Sequence, residues 1–262
     1  MGALASGCRY GFNAQSSEAT DDTTLTQAIT AVQVASGAGN VSIQVGSRAS
    51  VHRELHYDNN KPGPSTTVAN GVLTLNDCGQ DCTVDYLVTV PAAAKIDGST
   101  SSGDITIAGA SSVAVQASSG NVSVAGATGQ VSVTTSSGDI KAASAGSDLQ
   151  AHSDSGDITV NGVKGAVTLV SQSGRIAASG LSGAQTTAHA SSGNVTVTAD
   201  VVQDVDVQTS SGDVTITVPN GSYRVTTGTD SGGVRSGIAN DSSAQHSISA
   251  TASSGDVRIT AK

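Results

Sequence analysis

The stretch Val131-Ser132-Val133-Thr134-Thr135-Ser136-Ser137-Gly138-Asp139-Ile140-Lys141-Ala142 decides how this chain folds. Its central phrase recurs. SSGDI places its glycine at Gly103 and Gly138, DSGDI at Gly156 and QSGRI at Gly174. SSGNV places it at Gly120 and Gly193, SSGDV at Gly212 and Gly255, and DSGGV at Gly232. Successive spacings are 17, 18, 18, 18, 19, 19, 20 and 23 residues, a mean period of 19. A fixed period of this size is the signature of a repeat architecture. A weaker earlier copy is Gly39-Asn40-Val41.

Aligned on the glycine, the columns become physical. Two positions on stand Ile105, Val122, Ile140, Ile158, Ile176, Val195, Val214, Val234 and Val257, all β-branched. Four positions on stand Ile107, Val124, Ala142, Val160, Ala178, Val197, Ile216, Ser236 and Ile259. Polar residues such as Thr106, Ser123, Lys141, Thr159 and Arg258 separate them, which is the alternation of a strand with one buried face. A second strand precedes each glycine, with Val113, Val131, Leu149, Val167, Thr186, Val205, Val225 and Ile248 seven positions before it. Three positions before it the residues are small: Ala117, Thr135, Ser153, Ser171, Ala190, Thr209, Thr229 and Ala252. Each repeat therefore reads as strand, tight corner, strand, and a looser return with its own glycines (Gly109, Gly126, Gly146, Gly162, Gly180).

Columns of like residues predict that like stacks on like. That is an all-β β-solenoid (β-helix), each coil of about 19 residues lying about 4.8 Å above the last, for a rod about 40 Å long. A meander of hairpins is the alternative, because Gly-Asp and Gly-Asn also suit two-residue turns. A meander would not require the small positions to match one another, so column uniformity favours the solenoid. The composition agrees. The chain has 262 residues with no Trp, 2% aromatics and 31 Gly. A narrow stacked interior takes Val, Ile and Ala and has little room for rings.

Composition also excludes function classes. Twelve Lys+Arg against 21 Asp+Glu give a net charge of −9, which argues against nucleic-acid binding. No apolar run approaches the ~20 residues that span a bilayer. Stacking platforms for sugars or bases are almost absent.

The organisation expected along the chain has four parts. Residues 1–8, MGALASGC, form a truncated lipoprotein-signal-like segment, since Leu4-Ala5-Ser6-Gly7-Cys8 approximates a lipobox without the charged and apolar regions that precede one. Residues 9–27 are polar and aperiodic and read as a flexible tether. Residues 28–100 form a β-rich N-terminal cap with the first coils, and 101–262 carry the solenoid repeats. Cys78 and Cys82, four apart around Gly79, read as a short local disulfide whose entropic gain is at best about 2 kcal/mol. That leaves Cys8 unpaired, and lipidation accounts for it. Both features point to an oxidising, extracytoplasmic site, with the chain anchored at the cell surface by lipid or secreted. The last strand, Val257 to Thr260, shows no obvious cap, and Arg258 and Lys262 are its expected edge protection.

A lipobox-like start, a polar tether and serial SSGD[IV]/SSGN[VI] repeats together resemble the bacterial β-strand-repeat "putative adhesin" family, a domain of unknown function, and in particular its actinobacterial lipoprotein members. The resemblance covers about 30–262. It implies a solenoid-like surface domain and carries no catalytic residues.

Four constellations of side chains bear on chemistry. The column after the glycine (Asp104, Asn121, Asp139, Asp157, Arg175, Asn194, Asp213, Gly233, Asp256) suits a calcium ladder or carboxylate site, or the ordinary turn preference of Asp and Asn. Arg175 and Gly233 interrupt it, which favours turn chemistry. His52, Glu54 and His56 share one strand face and suit a metal, but no fourth ligand is near, so a solvated face is favoured. His152, His189 and His246 lie among many serines, with no G-x-S-x-G elbow beside them. The outward Thr106, Thr159, Thr196 and Thr215 suggest an ice-binding face, but Lys141, Arg235 and Arg258 break the row.

The reading that follows is a non-enzymatic envelope scaffold or adhesin, without catalytic or metal residues and without a cofactor. Its expected partners are surface proteins or polysaccharides, and end-to-end self-association through an open strand edge is a further expectation. The alternatives are an envelope-stress sensor binding peptides or proteins at the cap or open end, and a β-helical polysaccharide-active enzyme. The shortage of aromatics counts against the enzyme.

Overall fold

The computed structural model describes residues 16–90 and 94–262. Every regular element among them is a strand. The first seven are β1 (Ser16–Thr24), β2 (Ala31–Ser36), β3 (Val41–Val45), β4 (Ser50–Asp58), β5 (Thr66–Ala69), β6 (Val72–Asn76) and β7 (Cys82–Val90). The repeats then run in pairs: β8 (Lys95–Ser102) and β9 (Ile105–Ala108), β10 (Ser112–Ser119) and β11 (Val122–Ala125), β12 (Val131–Ser137) and β13 (Ile140–Ala145). Next come β14 (Leu149–Ser155) and β15 (Ile158–Val163), β16 (Val167–Ser173) and β17 (Ile176–Leu181), β18 (Gln185–Ser192) and β19 (Val195–Ala199). The last are β20 (Asp204–Ser211) and β21 (Val214–Val218), β22 (Tyr223–Ser231) and β23 (Val234–Ser236), β24 (His246–Ser254) and β25 (Val257–Ala261).

The strand before each glycine joins one sheet and the strand after it joins the other. Sheet A has 13 strands and sheet B has 12. Within the repeats every pairing is parallel and, but for a register shift between Ala178 and Leu181 where β17 meets β19, in register, so Val113, Val131, Leu149, Val167, Thr186 and Val205 stack in sheet B. Ile105, Val122, Ile140, Ile158, Ile176 and Val195 stack in sheet A. This is the solenoid and not the meander, because hairpins would pair antiparallel. The two inner faces meet in one continuous core of Val, Ile, Leu and Ala. Each fully buried Val or Ile contributes about 1.5–3 kcal/mol, so stability is spread along the columns. Thr186 takes a valine position because Gln203, itself fully buried, accepts its hydroxyl at 3.0 Å and donates to the Leu181 carbonyl at 3.3 Å.

The corner needs glycine twice over. Gly138 sits at φ +149°, and a Cβ there would lie inside the van der Waals shell of the Gly120 carbonyl oxygen of the coil below. The same backbone approach repeats from Gly103 to Gly255. Parallel coils can approach this closely only where the corner carries no side chain.

The ends depart from sequence order. After β21 the chain skips one level to lay down β22 and β23, then returns so that β24 and β25 fill the gap. The N-terminal end uses the same device. From β3 the chain passes outward to β4 and β5, then returns so that β6 and β7 fill the level between, before β8 and β9 continue on the inner side of β2 and β3. Here β4 and β5 run antiparallel to β7 and β6, and β1 runs antiparallel to β4.

Three expectations change. Residues 16–24 of the expected tether form a nine-residue strand, held along its whole length by β4; the stretch lacks apolar alternation because both its faces are largely solvated. The division at 100/101 falls inside β8, which opens the coil of Gly103. The C-terminal strand is not an edge, since β25 lies between β21 and β23, and Lys262 reaches back to Asp200 at 2.6 Å. The rings excluded from the repeats occur at the two ends, where Tyr86 and Tyr223 are buried. Their hydroxyls donate to the Asn76 carbonyl at 2.6 Å and the Pro219 carbonyl at 3.1 Å, and burial raises the pKa of both phenols.

Candidate functional site

Strand alternation sends every second residue of sheet B outward, and parallel register lines these residues up in rows along the axis. One row runs Ser118, Ser136, Asp154, Gln172, Ser191, Ser210, Ser253 and Asp230, in the spatial order of the strands. The next runs Gln116, Thr134, His152, Val170, His189, Gln208, Thr251 and Gly228. Three short serines between Gln172 and Asp230, beside a row that ends on a glycine, leave a shallow trough of about 480 Å³. Its walls are hydroxyls, two amides, the His189 imidazole and the Asp230 carboxylate. No ring of Phe, Tyr or Trp lines it. The surface can form many hydrogen bonds and can bury little apolar area.

His189 Nε2 lies 3.3 Å from Asp206 Oδ2, and His152 Nε2 lies 3.1 Å from Asp154 Oδ1, which also accepts from Gln172 at 2.5 Å. His246 Nδ1 lies 3.7 Å from Asp204 Oδ1. Among the described residues no hydroxyl or thiol is hydrogen-bonded to these imidazoles, so no nucleophile–base relay of the serine-hydrolase kind is assembled. His152 and His189 thus share the outer face of sheet B, each fixed by a carboxylate on its own or a neighbouring strand, whereas His246 lies opposite the buried Tyr223 and its Nδ1 makes no hydrogen bond.

The Asp/Asn column turns out to be a ladder of another kind. The backbone N–H after a corner glycine donates to the side-chain Oδ1 of the same position one coil down wherever that position holds Asp or Asn. Asn121 N donates to Asp104 (2.8 Å), Asp139 N to Asn121 (2.9 Å), Asp157 N to Asp139 (2.9 Å) and Arg175 N to Asp157 (2.7 Å). The series resumes with Asp213 N to Asn194 and Asp256 N to Asp213, both 2.9 Å. Its last rung is Gly233 N to Asp256 at 2.8 Å. Each side-chain oxygen, from an Asp carboxylate or an Asn amide, caps a backbone N–H that the corner leaves without a backbone acceptor. Turn chemistry is therefore the role of the column, with the bond made between coils and not within one turn. Gly233 departs from the pattern because its coil is outermost, and no coil beyond it needs an acceptor.

His52, Glu54 and His56 do share the outer face of β4, and β1 supplies the partners that the sequence hid. His52 Nδ1 lies 2.8 Å from Asp22 Oδ1, and His56 Nδ1 lies 3.4 Å from Glu18 Oε1. No group of three or more His, Cys, Asp or Glu side chains is placed to hold a metal ion among the described residues. Cys78 and Cys82 are joined as a disulfide across the turn between β6 and β7, Cα atoms 5.8 Å apart. Cys8 lies outside the described residues. The outward threonines of sheet A are interrupted by Lys141, and by Arg258 and Arg235 side by side at the end.

The sequence reading missed the trough. Its only signal was a run of serines at one column position, and that run grows to three because β24 enters between β20 and β22 and sets Ser253 between Ser210 and Asp230.

Residues 29–262 match the family model described as Toastrack DUF4097. No curated protein matches. Among solved structures, the chain is similar to one described as a putative lipid binding protein from Parabacteroides distasonis, at 14% identity and a TM-score of 0.55. The likeness covers 93% of this chain and 96% of that one. A putative adhesin from Bacteroides fragilis follows at 15% identity and TM-score 0.49, covering 93% and 97%. Another from Parabacteroides distasonis has 15% identity and TM-score 0.48, covering 94% and 98%. At these identities the first of the three shows a shared fold.

Proposed function

The chain belongs to the Toastrack DUF4097 family, and from that premise we propose that it is a non-enzymatic scaffold of the cell envelope whose sheet B trough binds a hydroxyl-rich surface polysaccharide. The trough carries the reading. It offers rows of serine, threonine and glutamine with one imidazole and one carboxylate, the donors and acceptors that pair with sugar hydroxyls. Without an aromatic platform each contact is weak, so binding accumulates along a polymer lying across several coils. The ladder and the corner give the repeated Asp, Asn and Gly residues a structural role, which supports the non-enzymatic reading.

An extracytoplasmic location fits the Cys78–Cys82 disulfide, since such bonds persist in oxidising compartments. A lipid on Cys8 fits the lipobox-like string before it. Fatty-acid labelling of cells expressing the chain, with Cys8→Ser as control, tests the anchor; label that persists in the variant removes it. For the trough the test is retention on immobilised envelope polysaccharides, comparing the parent with a His189→Ala/Gln208→Ala variant of unchanged circular dichroism. The expected result is a loss of retention of at least about tenfold, for two lost hydrogen bonds. Equal retention of the two proteins removes the trough as the binding face, and release of soluble sugar products would make the protein an enzyme.

A further inference from the structure

The two ends of the stack are unlike in charge. Residues 219–262, which form the last two coils, carry Arg224, Arg235, Arg258 and Lys262 against three aspartates. Residues 16–90, at the other end, carry three basic side chains against eight acidic ones. An acidic molecule thus has one basic end. Arg235 stands directly opposite Arg258 across β23 and β25. Like charges so placed destabilise a sheet, and among the described residues neither has a carboxylate within ion-pair distance. At the far end the outermost strand β1 exposes Glu18 and Asp22, whose side chains are 73% and 85% accessible.

The same two ends carry sheet edges that no strand covers among the described residues. At the basic end the loop after β23 closes only the start of β22, where Asp241 N donates to the Tyr223 carbonyl and Asn240 Oδ1 accepts from Val225 N. From Thr226 to Ser231, and along β23, nothing pairs outward. Val234 is 43% accessible there, whereas its column mates are almost fully buried. At the acidic end the outer edge of β1 is open in the same sheet A.

We propose that this chain associates head to tail with further copies of itself, the basic β22–β23 edge of one copy meeting the acidic β1 edge of the next. Sheet A is then continuous from copy to copy. The amide ladder ends at Gly233, and β1 brings no glycine corner to stack upon it, so the incoming strand needs no acceptor there. A symmetric pairing of two basic ends would gather four unpaired arginines, which charge disfavours. A head-to-tail contact does not close, so it propagates as an open chain of copies.

The proposed contact continues sheet A, whereas the trough lies on the outer face of sheet B and shares only the edge strand β22 with it. The test is the concentration dependence of mass by light scattering or sedimentation, using the full chain. The parent is expected to exceed twice the monomer mass as concentration rises, and to return towards monomer in roughly 0.5 M salt, where exposed charges are screened. Arg235→Glu/Arg258→Glu alone, and Glu18→Lys/Asp22→Lys alone, should each stay monomeric. Mixed, they should associate, because each supplies the end that the other lacks. A parent that is monomeric throughout, or an oligomer that survives both charge reversals, overturns the proposal. So does a closed dimer. Unchanged circular dichroism in each variant excludes misfolding as the cause of lost association, and the mixture restores the signal only if both ends are intact.

Discussion

At the residue scale the corner is the most demanding point in the chain. Gly138 combines a left-handed φ with backbone contact to Gly120, so any side chain must displace a neighbouring coil. Gly138→Ala should cost more than about 3 kcal/mol in denaturant unfolding, in the range reserved for core disruption and backbone strain. Gly228→Ala is the control, since nothing lies within 4 Å of its added methyl, and it should shift stability by less than about 0.5 kcal/mol. The ladder makes a second prediction. Arg175 offers no acceptor, so Asn194 lacks the capping bond that its column mates receive. Arg175→Asn should raise stability by about 1 kcal/mol in the same measurement, the net value of one hydrogen bond. No gain would mean that solvent already satisfies that amide.

At the element scale, β1 is held by polar contacts more than by burial. Asp21 accepts from Lys61 Nζ at 2.7 Å and from Arg53 at 2.6 Å, and Arg53 also donates to Ser65 Oγ at 2.8 Å. The Lys61 hydrogen bond above all, with Arg53 adding to it, holds the Asp21 carboxyl below the ordinary aspartate range. A depressed folded pKa stabilises above the unfolded value, about 4, and that contribution is lost as pH falls through the lower folded value. Amides of residues 17–23 should therefore lose hydrogen-exchange protection as pH drops below about 4, after correction for intrinsic rates. Asp21→Asn should show the same loss at neutral pH. Protection that is flat with pH would assign β1 to its backbone pairing with β4 alone. The strand was invisible in the sequence for the same reason: Ser16–Thr24 has no apolar alternation, and its partners on β4 stand far along the chain, from Thr24 opposite Ser50 to Ser16 opposite Asp58.

At the scale of the whole molecule, the inverted order of the end coils gives a prediction opposite to the usual fraying of chain termini. Amides of Val257–Ile259, paired on both sides, should exchange as slowly as those of Val214–Ile216. Amides of Val234–Ser236, on the open edge, should exchange fastest of the strand amides in the last three coils. Fast exchange of the terminal strand would contradict the stacking order. The same inversion sets Ser253 between Ser210 and Asp230 and so widens the trough, and the extent of the candidate site depends on a choice of neighbours made only in the folded chain.

The sequence by itself determined the period, the two strands of each coil, the buried columns and the glycine corner. These are local: alternation of β-branched and polar residues fixes each strand's faces, and the backbone approach at the corner admits only glycine. It also placed the interface of like with like, because matched columns of Val and Ile bury well only in register. Tertiary structure alone decided which coil lies beside which at the ends. Coils with the same columns offer nearly the same pairing energy to any neighbour, so local sequence does not rank their order. That order follows from closing the two ends of the core, and with it come the extent of the trough, the stop of the ladder at Gly233 and the opposite charges of the two edges.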